Sequence, residues 1–233
     1  NIADPADEAG FGYPQLSAEY VLEADLDRWA GHVLLAVDGD RVAARGFLID
    51  FAMGDDLGRP GLPDDGWDAI VTWAYLDGLA GREPTDTSAL EIAIRPEYRG
   101  TGLATRMVQA MCEQAAAAGF DALYAPVRPS RKPEEPDTPM AEYAARTRDD
   151  GLPADPWLRT HARLGAEIVG VCPAAMTISG TVAQWREWTG LPIDRSGPLH
   201  VPGALVPVHV SLEHDHAVYV EPNVWMRHPL AGR

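Results

Sequence analysis

The sequence predicts a mixed α/β domain, and three of its features do so. A strand-like run, Ser88–Ile94, passes through a glycine turn into a helix-patterned segment, Leu103–Ala118. Two alternating runs, Val33–Val37 and Val42–Phe51, joined by Asp38-Gly39-Asp40, read as a hairpin. Helix and strand patterns then alternate again as far as Cys172. With 233 residues, 46% of them hydrophobic, the chain can bury a full core. Residues 1–31 are expected as an N-terminal segment and helix, 32–172 as the core, and 173–233 as a C-terminal extension packed on the same domain.

In order along the chain, residues 1–16 are rich in Pro, Gly and Asp and are expected to be irregular. Ser17 can cap a helix reaching Trp29. After the hairpin, residues 53–66 read as a loop, and Asp64 or Asp65 can cap a helix carrying Trp67, Ile70, Val71, Trp73, Ala74 and Leu76. In the segment after the glycine turn, Met107, Val108, Met111, Cys112 and Ala115 recur at helical spacing, so that stripe is core. Gly119 ends the helix, and Asp121–Val127 is the next strand. The Pro-rich connection from Arg128 to Leu152 reads as a lid loop with a short helix at Met140–Arg148. Asp155-Pro156 opens a helix that stops at Gly165, followed by a strand, Glu167–Cys172. Beyond it, Thr181-Val182-Ala183-Gln184 is a capping box, and Val206–Leu212 and Ala217–Val220 read as a closing hairpin.

The stretch Arg95-Pro96-Glu97-Tyr98-Arg99-Gly100-Thr101-Gly102-Leu103-Ala104 carries the chemistry. It lies where a strand hands over to a helix. The first N–H groups of a helix have no partner within it, and the helix dipole makes that end positive. A glycine turn lets an anion approach those groups, so the stretch reads as a pyrophosphate cradle. The dinucleotide fingerprint needs a third glycine, but Leu103-Ala104-Thr105 follows; the kinase-type loop needs a lysine, and none is here. Arg99, Gly102 and Ala104 do fit Arg/Gln-x-x-Gly-x-Gly/Ala. With Pro-Glu-Tyr in front, the stretch resembles the acetyl-CoA loop of the GNAT N-acetyltransferase superfamily.

That resemblance covers residues 32–172 and implies a central mixed, largely antiparallel sheet flanked by helices, with the C-terminal helix and hairpin as an extension. The sheet is expected to splay near residues 92–94. Main-chain N–H groups across Arg99, Gly100, Thr101, Gly102, Leu103, Ala104 and Thr105 are implied to hold the pyrophosphate of coenzyme A. Ile92, Ala93 and Ile94 are implied to position the thioester through their main chain. On that strand Glu91 alternates to the face of Ala89 and Ala93, opposite Leu90, Ile92 and Ile94. A carboxylate there either serves as the base that takes a proton from an amine or faces solvent paired with an arginine. In His161-Ala162-Arg163-Leu164-Gly165-Ala166, which resembles the family's Tyr-x-x-x-Gly-Phe helix ending, His161 replaces the tyrosine. It is the implied proton donor to the thiolate, as an imidazolium; Tyr143 and Tyr124 are alternative donors. Arg128 and Arg131 are further candidates to reach the coenzyme phosphates.

The net charge of −16 disfavours nucleic acid and anionic membrane and favours amine-bearing partners. No apolar run reaches membrane-spanning length, and two cysteines in apolar surroundings suit a reducing, cytoplasmic setting. His214-Asp215-His216, with His209 and His228, lacks a matching ligand pair, so no metal is expected. The expected reaction is transfer of an acetyl group from acetyl-CoA to a primary amine of a small molecule. A different acyl-CoA, a non-amine acceptor, and a non-catalytic acyl-CoA-binding module are the alternatives. The tail hairpin offers a sheet edge through which a homodimer could form.

Overall fold

Alternating apolar residues drive the chain into one eight-stranded sheet. The computed structural model describes residues 29–230. The helix expected to begin at Ser17 lies outside them. Strands β1 (Val33–Asp38) and β2 (Arg41–Phe51) form the predicted hairpin, and Gly39 supplies the positive φ its two-residue turn needs. Strand β3 (Asp86–Ile94) pairs antiparallel with β2. Strand β4 (Ala122–Val127) lies parallel to β3. The remaining strands are β5 (Glu167–Gly180), β6 (Gly197–Leu199), β7 (Val208–Ser211) and β8 (His216–Pro229). The order is β1-β2-β3-β4-β8-β7-β6, with β5 also paired to β8.

The place of β8 differs from a closing hairpin that only extends the sheet. Its C-terminal half, Val224–Pro229, runs between β4 and β5, and its N-terminal half between β7 and β5. The strand continues straight through Pro222, which is why a two-strand reading ending at Val220 was too short. β5 is likewise one strand, with a register irregularity between Cys172 and Met176.

The helices cover both faces. Helix α1 (Gly66–Leu79) packs Ile70, Val71 and Ala74 on Ile49 and Phe51 of β2. Helix α2 (Leu103–Ala117) packs Met111 and Ala115 on Leu48 and Leu123. Leu48 and Ile49 are consecutive, so the two helices lie on opposite faces. On the face of α2, helices α3 (Met140–Ala144) and α4 (Pro156–Arg163) pack against Val127, Val224 and Met226. Helix α5 (Val182–Thr189), opened by the predicted Thr181/Gln184 capping box, buries Trp185 against Val208 and Tyr219.

Three buried polar groups fasten the connections. Asp77 of α1 accepts from the Ala52 N–H (2.8 Å), from Arg59 and from Arg82. Burial works to raise its pKa, but Arg59, the Ala52 amide and Arg82 together hold it lower. Lys132, the chain's single lysine, is fully buried and donates to the carbonyl oxygens of Leu205 and Glu135 (2.7 Å each) and Pro136 (3.3 Å). Asp155 caps α4 through the N–H groups of Trp157 and Leu158, and takes the Tyr143 hydroxyl and the Arg131 N–H besides. The stretch from Arg128 to Asp155, read from its prolines as a lid, is thus tied down along its length.

Gly66, at φ 35°, is where α1 comes closest to β5: a Cβ there would stand 2.3 Å from Cys172 Sγ and 3.1 Å from Ala175 Cα. Replacing it with alanine is expected to destabilise the fold by about 1–3 kcal/mol through overpacking. A chemical denaturation midpoint equal to that of the unaltered protein would contradict this.

Candidate active site

Parallel pairing between β3 and β4 consists of Thr87 with Leu123 and Ser88 with Tyr124, and then stops. β3 continues to Ile94 on β2, and β4 continues to Val127 on β8, so the two strands part and leave a cleft. Residues 89–94 are accordingly only half-buried, whereas Thr87 and Ser88 are fully buried. The separation begins at Ala89, earlier than residues 92–94. Pro126, which has no N–H to give a ladder, stands on the departing strand.

Backbone direction along β3 follows from one bond. Arg95 donates its N–H to Ala43 O (3.0 Å). Groups alternate along an antiparallel strand, so Ala93 also faces β2, opposite Arg45, while Ile92 and Ile94 turn theirs toward the cleft. Of the three residues expected to present main chain there, Ala93 is therefore committed to the ladder.

The turn after β3 has the expected form. Pro96–Tyr98 make one 3₁₀ turn, and Gly100 and Gly102 take positive φ of 75° and 84°. Gly102 is the N-cap of α2, and no side chain caps that end. Among the described residues, the N–H groups from Gly100 to Thr105 donate to no protein acceptor, and the helix ladder begins at Arg106 N–H to Gly102 O. The turn is braced from the hairpin side: Tyr98 donates to Asp38 (2.8 Å), Arg41 to Glu97 (3.0 Å), and Arg95 to Val42 O (2.6 Å). A helix start with unused amides, reached through two left-handed glycines, fits a diphosphate. Arg128 and Arg131 are spent elsewhere. Arg128 holds Glu221 (3.0 Å) and Gly203 O (2.6 Å), and Arg131 holds Glu134 (2.7 Å).

A bulge changes the faces of β3. Phe47 pairs with Glu91 and Leu48 with Ala89, so Leu90 is the extra residue. Leu90 consequently packs with Trp67 on the α1 face beside Glu91, and Ala89 moves to the α2 face with Ile92. Strict alternation had placed Leu90 with Ile92. Glu91 receives a hydrogen bond from Arg45 Nε (3.0 Å), and the Arg45 guanidinium lies 5.4 Å from the Phe47 ring centre. Trp67 donates its indole N–H to Leu90 O (3.2 Å). Tyr124 packs with the same cluster, and its hydroxyl makes no hydrogen bond among the described residues.

His161 is enclosed. It is 4% exposed on α4, its Nδ1 is 2.8 Å from His228 Nε2, and Trp157 meets its ring edge-on. Burial, with His228 second, brings its pKa down to about 3, and burial brings His228 down to about 4. The imidazolium implied at this position is therefore not what the structure holds: the ring is neutral, and its Nε2 is sealed from solvent. The sequence signal for His161 was a register with a helix ending, which says nothing of His228. Tyr143 is also engaged, donating to Asp155 (2.8 Å). Among the described residues no group of three His, Cys, Asp or Glu side chains is placed to hold a metal ion, and no helix is long and apolar enough to cross a membrane.

A splayed parallel pair in front of an uncapped, glycine-led helix defines the acyl-CoA-binding fold, and residues 4–136 match the family model described as acetyltransferase (GNAT) family. The chain belongs to that family. It is 37% identical over 190 residues to the arginine N-acetyltransferase avaD of Aspergillus versicolor; the match covers 72% of this chain and 65% of that protein. The loading GNATL domain of CurA from Lyngbya majuscula superposes with a TM-score of 0.61 at 16% identity, covering 97% of this chain and 90% of that one. The GphF GNAT-like decarboxylase, solved with isobutyryl-CoA, gives 0.54 at 14% identity, covering 98% and 97%. At such identities the two structures share the fold.

The histidine pair makes stability depend on pH. Unfolded, both rings titrate near the ordinary 6.5; folded, both lie well below it. The unfolded chain then binds more protons as pH drops below about 6.5, so stability is whole above that value and is lost as pH falls toward the folded values. Urea midpoints should fall between about pH 7.5 and pH 5, and a His161→Gln/His228→Leu variant should show a flatter dependence. An equal slope in the variant would count against the pair.

Proposed function

We propose that this chain transfers an acetyl group from acetyl-CoA to a primary amine of a small molecule, in a reducing cytoplasm where Cys112 and Cys172 stay as free thiols. The observation that carries the reading is the parting of β3 and β4 immediately before the uncapped start of α2. The amides of Gly100–Thr105 would take the diphosphate, with Arg99 beside them, and the inward-turned main chain of Ile92 and Ile94 would align the pantetheine arm. The name of the fungal relative, an arginine N-acetyltransferase, supports an amine acceptor; the chain spans 65% of that protein's length.

Bound acetyl-CoA supplies an activated acyl carbon on a thioester. On the α1 face, Glu91 offers Oε2, which makes no hydrogen bond among the described residues, to the acceptor ammonium. Taking one proton there leaves the nitrogen lone pair free to attack. The sulfur leaves with a proton for which Tyr124 is the proposed donor, since it stands opposite Ser88 where the strands part, on the face of Glu91. His161, neutral and enclosed, takes no part.

Thiol release from acetyl-CoA in the presence of a panel of primary amines tests the reading; no release with any amine would sink it. Glu91→Gln is expected to lower kcat by about 100-fold, the usual worth of a positioned base, with coenzyme A affinity kept. Gly102→Val forces a β-branched residue into left-handed backbone and is expected to weaken coenzyme A binding about tenfold by calorimetry.

A further inference from the structure

Arg45 and Glu91 form an ion pair with unusual spare capacity. They meet through one hydrogen bond, Nε to Oε1 at 3.0 Å, and both side chains are about 30% exposed, at 29% and 32%. Among the described residues, the two terminal nitrogens of Arg45 and the second oxygen of Glu91 make no hydrogen bond. Phe47 lies beneath the guanidinium, 5.4 Å from ring centre to carbon. The pair stands on the α1 face, bridging β2 and β3, beyond the point where β3 has parted from β4.

We infer that this pair reads a zwitterion: the acceptor is an α-amino acid with a free carboxylate, its ammonium on Glu91 Oε2 and its carboxylate on the terminal nitrogens of Arg45. The inference rests on the reading of Glu91 as the base. Three considerations carry it. A partly exposed ion pair joined by a single hydrogen bond adds little net stability, so this one opens at little cost to meet a ligand. A guanidinium with both terminal nitrogens free presents the fork that binds a carboxylate in two-point fashion. And a chain of net charge −16 repels a carboxylate-bearing substrate unless a resident cation receives it. Arg45 is that cation beside Glu91. With the carboxylate anchored, the α-nitrogen is the one delivered to the cleft. Of the two protons the ammonium gives up, one goes to Glu91 and one ends on the departing sulfur, as the N–C bond forms and the C–S bond breaks.

The test uses paired acceptors that differ only in the carboxylate: L-arginine against agmatine, and L-leucine against isoamylamine, with acetyl-CoA and thiol release as readout. The unaltered protein should favour the amino acid of each pair by at least about tenfold in kcat/KM. Arg45→Met should bring each ratio close to one, chiefly through KM of the amino acid, and Arg45→Lys should restore part of it. Equal use of both members by the unaltered protein, or a ratio that survives Arg45→Met, would overturn the inference while leaving amine acetylation standing. No turnover of any of the four acceptors, with coenzyme A still bound, would overturn the inference, and amine acetylation would fall with it only if the wider amine panel also released no thiol.

Discussion

Two strands are pulled in different directions, and the candidate site is the gap between them. β3 is zipped to β2 along its whole length, and β4 is zipped to β8 from Ala122 to Val127. Each ladder follows its own twist, so two residue pairs are all that β3 and β4 can share. The backbone groups at Ile92, and at Ile94 apart from its carbonyl, which accepts from Arg99 (3.4 Å), would be costly if buried without partners. They lie instead on an open wall.

What stands on either side of the gap is held by ordinary means. On the α2 side the glycine turn is tied to the first hairpin through Asp38, Arg41 and Val42 as well as to the helix it opens. On the other side, Trp67 and Leu90 close the base of the cleft below Glu91. Just past the far end of β4, Arg128 pairs with the buried Glu221, and the Tyr219 hydroxyl donates to the same carboxylate (2.8 Å). Glu221 is the buried member of the pair and Arg128 is partly exposed, so removing Arg128 would leave an uncompensated buried carboxylate.

The glycine turn was legible because its geometry is local. Two glycines, an arginine and a following apolar stripe specify strand, turn and helix within some fifteen residues, and the structure has each of them in order. Most helices were legible for the same reason, down to the caps at Asp155 and Thr181. What could not be read depends on partners far away in sequence. The bulge at Leu90 is a matter of register against β2, and nothing in Ala89-Leu90-Glu91 announces it. Lys132 looks like a solvated charge among prolines until the turn carrying Leu205 closes over it. His161 was read from the resemblance of a helix ending, and only its neighbour from β8 reveals a sealed, uncharged ring.

The last long strand of the sequence is also the middle of the sheet. Until β8 has been synthesised, β4 and β5 have no strand between them, and the ladder from β1 to β4 ends in an exposed edge. As the chain emerges, the cradle and its helix can assemble from near neighbours, whereas the wall facing them waits for contacts of high sequence separation. Such contacts slow folding and prolong the exposure of apolar strands to other chains. Helpers that shield nascent edges would therefore act on this protein late, in the interval before residues 216–229 dock.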